Sequence, residues 1–177
     1  MIRVVTDNAS DMTLEDAELL NVDLINLPIT FGDEEFPQRT NEDFDRFFEK
    51  LTQVDELPKT GRGSLVDYYR VFNEAKEAGD DVICVTLSKT ISGSIDSAYQ
   101  AKEALGYDRV FIIDSALAIT GQRLLVEAIC KRRDEGVPSE DIVEEANSLK
   151  KRIIVYGLID TLRYLKMGGR IPAAFAS

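Results

Sequence analysis

The sequence predicts a three-layer α/β fold in which a largely parallel sheet lies between two layers of helices. Strand-like runs alternate with helical patterns along the chain, and this alternation is typical of consecutive βαβ units. The runs at residues 2–7, 82–87 and 109–115 are rich in Val and Ile, as expected for strands that helices cover on both faces. With 177 residues and 44% hydrophobic content, the chain can bury a core of ordinary size.

The first part of the chain contains signals for two strands, a hairpin and two helices. After the first strand, Thr13 and Asp16 have the spacing of a capping box and predict the start of a short helix. Residues 22–37 predict a strand that feeds a hairpin with its turn near Gly32. Asn41 is expected to cap the next helix. Three phenylalanines of that helix, predicted to be core residues or to line an apolar cavity, are Phe44, Phe47 and Phe48.

The rest of the chain continues the alternation. Ser64 and Asp67 predict a second capping box, Gly79 predicts a helix end, and Pro138 fits the first turn of a helix. The predicted elements are, in chain order, a helix at 65–78, a strand at 81–88, a helix ending near Gly106, a strand at 109–115, helices at 119–136 and 138–150, a strand at 152–160 and a short helix at 161–169.

Composition argues against several classes of protein. The net charge of −11 opposes binding to nucleic acid and to anionic membrane surfaces. We see neither a membrane-spanning apolar run nor a secretory signal, and we expect a cytoplasmic protein without stable membrane insertion. The chain contains no histidine, which removes the commonest general base and zinc ligand. Cys84 is expected to be a small buried hydrophobe, and we expect neither a metal nor a cofactor.

Small polar residues follow several of the predicted strands. In open α/β sheets, ligands bind beyond the carboxyl ends of the strands, so these residues are candidates for a binding site. Asp7 and Asp114 could bind a metal, although aspartates at strand ends more often brace loops. The candidates are Thr6, Asp7, Asn8 and Ser10 after the first strand, Thr60, Arg62 and Ser64 in a later loop, Ser88, Thr90, Ser92, Gly93 and Ser94 after the "VICVTL" strand, and Asp114 and Ser115 after the "RVFII" strand.

The stretch "SKTISGS" at residues 88–94 places four hydroxyls and a glycine where a helix begins. Free N–H groups and the helix dipole favour an anion there, and the hydroxyls can donate to a carboxylate or a phosphate. Ordinary capping and turn chemistry explains the same residues equally well, so spacing leaves both interpretations open. A hydrolase using Ser92 is disfavoured, because the first glycine of GxSxG is absent and only Lys89 is available as a base.

Several stretches together resemble the DegV family of bacterial fatty-acid-binding proteins. They are "VTDNASDM", "LPITFGDEEF", "LPKTGRGS", "VTLSKTISGSIDSA", "VFIIDSALAITGQRLLV" and "LIDTLRYLKMGGRI", and their order and spacing fit nearly the whole chain. The resemblance implies an N-terminal α/β domain, a second domain, and a long-chain fatty acid in a tunnel between them. It also implies that the bound fatty acid is presented to an ATP-dependent fatty acid kinase, so that the protein is a carrier and not an enzyme.

The resemblance implies that the carboxylate is held by Thr60, by Ser92 with the Gly93 backbone, and by Arg170. The family's TSxPS loop is "TGRGS" here, so Arg62 is new. Its SGT motif is "SGS" here, and Asp96 replaces a glutamine. The residues that we expect to support the site are Ser64, Ser88, Ser94, Asp7, Asp114 and Ser115.

Family members usually continue well beyond the GGRI motif, so the resemblance implies that a second domain begins near the end of this sequence. We expect residues 1–157 to form the N-terminal domain and 158–177 to begin a second domain that is otherwise missing. The leading hypothesis is a fatty-acid carrier. The alternative is a structural or oligomeric α/β domain that does not bind lipid and self-associates through the apolar surface of an incomplete tunnel.

Overall fold

A four-stranded parallel sheet lies at the centre of the fold. The computed structural model describes residues 1–37, 40–54, 56–160 and 162–171, without the side chains of Arg163 and Tyr164. The strands are β1 (Ile2–Asp7), β2 (Val22–Ile25), β3 (Ile29–Phe31), β4 (Glu34–Phe36), β5 (Lys59–Thr60), β6 (Asp81–Thr86) and β7 (Val110–Asp114). The helices are α1 (Leu14–Leu20), α2 (Asn41–Gln53), α3 (Leu65–Ala78), α4 (Ser94–Leu105), α5 (Ile119–Asp134), α6 (Ser139–Leu149) and α7 (Arg163–Met167). The central sheet has the order β2-β1-β6-β7, and all of its pairs are parallel.

Each face of this sheet packs against helices through its own core, which confirms the predicted three layers. Alternate residues of a strand point to opposite faces, so neighbouring residues enter different cores. On one face, Leu125 and Ile129 of α5 and Ile142 of α6 form a core with strand residues. These strand residues include Val4, Ile83 and Val85. On the other face, Tyr68 and Phe72 of α3 and Ala98 of α4 form a second core with strand residues. These strand residues include Val5, Val82 and Cys84. Cys84 is fully buried, as predicted.

The predicted helix ends are largely confirmed. Thr13 and Asp16 form the reciprocal capping box, and Gly79 ends α3 in the left-handed conformation. The cap of α2 is Thr40, which forms a capping box with Asp43, so the prediction of Asn41 as the cap is wrong. Ser64 caps α3 by accepting from the Val66 N–H and not through the predicted capping box with Asp67. Pro138 is the residue before α6 and not part of its first turn.

A small antiparallel sheet in the order β4-β3-β5 projects from the carboxyl edge of the central sheet. The predicted hairpin is its β3–β4 unit, whereas β5 falls in a region predicted to be a loop. Thr60 pairs with Ile29 in this sheet. Its Phe31 and Phe36 pack on Phe47 of α2, with ring centroids 5.7 and 6.0 Å apart. Phe47 also contacts Phe48 at 5.4 Å, and Phe48 remains 63% exposed. An aromatic cluster therefore lies on the same small sheet as Thr60.

The strand predicted at residues 152–160 is wrong. Residues 153–159 form no helix or strand in the structure, and Ile154, Tyr156 and Leu158 are 70%, 89% and 99% exposed. The predicted second domain begins in this region, but Thr161 and residues 172–177 lie outside the described residues. The boundary at residue 157 therefore stays a prediction.

Candidate functional site

Three segments that are far apart in sequence meet at the carboxyl edge of the central sheet. The Gly63 N–H donates to the Ser94 hydroxyl at 3.1 Å, which joins the loop after β5 to the start of α4. Arg170 Nη2 donates to Thr60 Oγ1 at 3.3 Å and brings the segment after α7 to the same loop. We call the group formed by Thr60, Ser92, Gly93, Ser94 and Arg170 the hydroxyl cradle. These residues include all four that were predicted to hold a carboxylate.

Two of the four hydroxyls in the stretch 88–94 serve the turn before α4. Ser88 Oγ and Thr90 Oγ1 lie 2.8 Å apart, and the Thr90 N–H points to Ser88 Oγ at 3.4 Å. The Ser88 carbonyl accepts from the backbone N–H groups of Ile91 and Ser92. For Ser88 and Thr90, the interpretation as ordinary turn chemistry is therefore sufficient.

The other two hydroxyls, Ser92 and Ser94, form a relay that leaves one donor unused. Their oxygens lie 2.9 Å apart, and either can donate to the other. Ser94 is fully buried and already accepts from the Gly63 N–H. When Ser94 donates to Ser92, the Ser92 oxygen accepts this bond together with the Ser94 N–H at 3.2 Å. A hydroxyl has one hydrogen and two lone pairs, so the Ser92 O–H then remains available to a ligand.

Thr60 also has a hydroxyl whose oxygen accepts a hydrogen bond while its hydrogen is unused among the residues that the structure describes. Its exposed hydroxyl oxygen accepts from Arg170, whose other terminal nitrogen donates to the Gly168 carbonyl at 2.6 Å. Within the described part of the chain, the Thr60 O–H has no acceptor. The cradle thus presents two hydroxyl donors and an arginine, which matches the two acceptor oxygens and the charge of a carboxylate.

Glycine is required at position 63, which contacts the cradle through its hydrogen bond to Ser94. A Cβ atom at Gly63 would lie 2.7 Å from Cε2 of Tyr68 and 3.0 Å from Cγ2 of Ile25, and both of these side chains are buried. Gly93 is different, because a Cβ there would make only ordinary contacts of 3.6–3.7 Å. The fold therefore does not require glycine at position 93, although its absent side chain leaves the helix start open to a ligand.

Asp7 and Asp114 do not face the cradle but hold the loop that carries it. The Leu87 N–H donates to Asp7 Oδ2 at 2.8 Å, and the Lys89 N–H donates to Asp114 Oδ1 at 3.1 Å. Aspartates from the two strands that flank β6 thus brace the beginning of the loop after it. Ser64 and Ser115 are also structural, because Ser64 caps α3 and Ser115 closes a turn with Leu117.

Gln122 completes the support of Asp7 and was missed by the sequence analysis. Its fully buried side chain donates to Asp7 Oδ1 and to Thr6 Oγ1, each at 3.0 Å. Burial raises the pKa of Asp7 above its ordinary value, even though its hydrogen bonds act to lower it. The signal was available in the sequence, since position 122 shares a helical face with Leu125, Val126 and Ile129, which are core residues.

A rival location lies at the opposite edge of the sheet. A cavity of about 770 Å³ is lined there by residues that include Arg3, Asp80, Asp81 and Arg109. These charges pair with one another: Arg3 and the Met1 amino group contact Asp80, and Arg109 contacts Asp81. Because its charged groups already have partners, and because ligands of such sheets bind beyond the carboxyl ends of the strands, this cavity is the weaker candidate.

Neither a metal centre nor a membrane span is found in the part of the chain that the structure describes. Residues 1–37, 40–54, 56–160 and 162–171 hold no cluster of three or more Asp, Glu, Cys or His side chains that could bind a metal ion. In the same ranges, no helix has the length and apolar character needed to cross a bilayer.

The fold and the cradle define an α/β domain that offers hydroxyl and guanidinium donors at the carboxyl edge of its sheet. The chain belongs to the DegV family, a family of uncharacterised proteins whose model matches residues 1–177. This result confirms the resemblance inferred from the sequence motifs.

Similar proteins include one curated relative and two solved structures. The chain is 29% identical over 176 residues to the protein DegV of Bacillus subtilis, with 99% of this chain and 63% of the relative aligned. A DegV family protein from Thermus thermophilus, described by its fatty acid binding, is 27% identical with a TM-score of 0.82 over 98% of this chain and 62% of that one. A stearic acid-binding protein from Eubacterium ventriosum is 28% identical with a TM-score of 0.80 over 98% and 63%. The chain thus spans 62–63% of the length of these proteins.

Proposed function

We propose that this chain binds a long-chain fatty acid through its carboxylate, which Thr60, Ser92, Gly93 and Arg170 hold. The observation that carries the proposal is the hydrogen-bond pattern of the cradle: the bond between the Ser92 and Ser94 hydroxyls uses only one of their two hydrogens, and the Thr60 oxygen accepts from Arg170 while its own O–H has no acceptor within the described residues. The similar proteins described as binding fatty acid or stearic acid support the same ligand class. Arg170 supplies local positive charge in a chain whose net charge is −11.

The aromatic cluster supports an apolar tail beside this carboxylate. Phe31, Phe36, Phe47 and Phe48 belong to the small sheet and α2, and Thr60 lies on the neighbouring strand of that sheet. Burying each methylene of an acyl chain is worth about 0.8 kcal/mol, so even a partly covered tail contributes substantially to affinity. In this proposal the cradle sets the orientation of the ligand and the apolar surface supplies most of the binding energy.

The proposed role is that of a carrier and not of an enzyme. We propose that the chain presents its bound fatty acid to a cytoplasmic ATP-dependent fatty acid kinase, which makes acyl phosphate for phospholipid synthesis. This part of the proposal is supported by the family resemblance alone. It requires no catalytic group or cofactor from this chain, only that the carboxylate stay within reach of the partner.

Organic extraction and mass spectrometry of the purified chain test the lipid-binding proposal. We expect enrichment of fatty acids of about 14–20 carbons, a length that a partly enclosed apolar groove can cover. An unrelated protein of similar size, expressed and purified identically, is the control for adventitious lipid. Equal fatty acid content in both samples, together with no binding of added oleate, would contradict the proposal.

A second candidate function is that of a structural domain that self-associates without binding lipid. The exposed apolar run at residues 154–159 favours it, because contiguous exposed apolar surface commonly marks an interaction site. Light scattering after size exclusion should then show a dimer or larger species whose fraction increases with concentration. A monomer over a hundredfold range of concentration (roughly 1–100 μM, which covers weak association) would exclude this candidate.

A further inference from the structure

Arg62 and Asp96 both lie next to Gly93, at the start of α4. Cδ and Nη1 of Arg62 are each 3.7 Å from the point that a Cβ atom on Gly93 would occupy. Oδ2 of Asp96 is 3.6 Å from the same point. A cation from the loop after β5 and an anion from the first turn of α4 therefore both lie against the backbone of the cradle.

Neither charge is paired within the described residues. Arg62 has no ion pair and no side-chain hydrogen bond there, and the Asp96 carboxylate likewise has no partner, although its N–H donates to the Gly93 carbonyl. The other arginines near the sheet edge are engaged: Arg123 pairs with Asp16 and Glu127, and Arg170 contacts Thr60 and Gly168. Arg62 is therefore an unpaired cation placed directly beside the proposed ligand position.

The negative charge of Asp96 would repel an anionic ligand in the cradle unless a nearby cation offsets it. An aspartate in the first turn of a helix interacts favourably with the helix dipole, but here the same carboxylate faces the place proposed for the ligand carboxylate. Like charges within a Debye length of each other, roughly 8 Å at physiological ionic strength, repel each other even at an exposed position such as that of Asp96. A site with Asp96 and without Arg62 would thus disfavour an anionic ligand.

We propose that Arg62 is an additional carboxylate-binding residue of the cradle, and that it offsets the repulsion between Asp96 and the ligand. The inference rests on the proposed function, because it assigns a role to Arg62 only if an anionic ligand occupies the cradle. A planar guanidinium can donate to a carboxylate through two nitrogens at once. Arg62 therefore selects for a carboxylate over an uncharged head group of the same chain length.

A double-mutant cycle tests this role by measuring the affinity for oleate of the unsubstituted chain, Arg62→Gln, Asp96→Asn and the double variant. Arg62→Gln should weaken binding about tenfold or more, as expected for a lost hydrogen bond between charged groups. Asp96→Asn should bind at least as tightly as the unsubstituted chain. Because the repulsion is absent in the double variant, its affinity should recover part of the loss, while the part that is due to the missing hydrogen bonds of Arg62 should remain.

Two controls separate the local effect from changes in net charge and in folding. Lys131→Gln makes the same change in charge at an exposed position in the last turns of α5, and should leave the affinity for oleate unchanged. Oleyl alcohol, which has no carboxylate, should bind all the variants equally. Thermal unfolding of each variant checks that the fold is intact, since both substituted side chains are exposed.

Each outcome of the cycle decides the inference. Unchanged oleate affinity in Arg62→Gln would overturn the role of Arg62 while leaving the lipid-binding proposal intact. A double variant as weak as Arg62→Gln would overturn the offset of Asp96. An unsubstituted chain that binds neither oleate nor oleyl alcohol would overturn the lipid-binding proposal and the role of Arg62 together.

Discussion

Replacing Asp7 by alanine is expected to lower the free energy of unfolding by about 2–4 kcal/mol, although Asp7 does not face the proposed ligand. Its carboxylate accepts from the Leu87 N–H, from the Gln122 amide and from the Ala9 N–H. Alanine leaves the buried Leu87 N–H without an acceptor, at a cost of about 1–3 kcal/mol. Gln122 retains one partner in Thr6, so the total stays below the sum of three lost bonds. Chemical denaturation of both chains measures the difference.

Asp114→Ala is the matched control for this substitution. Asp114 also accepts two N–H groups of loop residues, Lys89 and Ala116, but both contacts are at the surface, where water can replace the carboxylate. We therefore expect a loss below about 1 kcal/mol. Equal effects of the two substitutions would mean that burial of the Asp7 contacts does not determine their contribution.

Asp7→Asn adds a test of the charge on Asp7. The pKa of Asp7 is raised above its ordinary value of 3.8 because burial outweighs the hydrogen bonds from Leu87, Gln122 and Ala9. Such a group favours folding while protonated, so its contribution is complete below about pH 4 and is lost as the pH rises through the raised folded pKa. The unfolding free energy of the unsubstituted chain minus that of Asp7→Asn should therefore fall as the pH rises above the ordinary pKa of 3.8 and through the raised folded pKa. A difference that grows with pH would show that the hydrogen bonds outweigh burial.

The central fold could be predicted because its signals are local and agree with one another. The Val- and Ile-rich runs become β1, β6 and β7, and the alternation of strands and helices suffices to predict a parallel sheet. The cap of α2 was predicted one residue too late, at Asn41 instead of Thr40. The third residue after Thr40 is Asp43, which can return a hydrogen bond to the cap, whereas the third residue after Asn41 is Phe44, which cannot.

The wrong strand at 152–160 has a different cause. Ile154, Val155 and Tyr156 have high β propensity, but a strand also needs a neighbouring strand to accept its backbone hydrogen bonds. The described residues provide no such neighbour for 153–159. Propensity is a property of the segment, whereas pairing depends on the rest of the molecule.

The location of the cradle could be predicted from the sequence, but the sequence could not show which of its hydroxyls form the turn and which are available to a ligand. Loop positions placed Ser88, Ser92 and Ser94 at the correct edge of the sheet, yet spacing could not separate turn formation from ligand binding. The separation depends on tertiary contacts such as that of Gly63, which lies 31 positions from Ser94 and donates to its hydroxyl. Arg62 was noticed as a new residue, but only the tertiary structure places it against Gly93.

Ser92→Ala is expected to weaken oleate binding by about 0.5–3 kcal/mol, or roughly twofold to a hundredfold in Kd, because it removes a hydrogen bond to a charged carboxylate. Thr60→Val should have an effect in the same range, since it removes the hydroxyl and keeps the shape of the side chain. Isothermal titration of oleate into each variant measures both changes. Unchanged affinity in Ser92→Ala would remove this residue from the proposed site.

The stretch 88–94 supplies its own control for this measurement. Ser88→Ala removes a hydroxyl only six positions from Ser94, but the Ser88 hydroxyl is engaged with Thr90 in the turn, so oleate affinity should stay the same. The effect of Ser92→Ala should also disappear when oleyl alcohol replaces oleate, because the Ser92 donor then lacks its charged acceptor. A loss of affinity for both ligands would mean that the substitution distorts the loop. A loss for oleate alone, with Ser88→Ala unaffected, would place the carboxylate at the Ser92 hydroxyl.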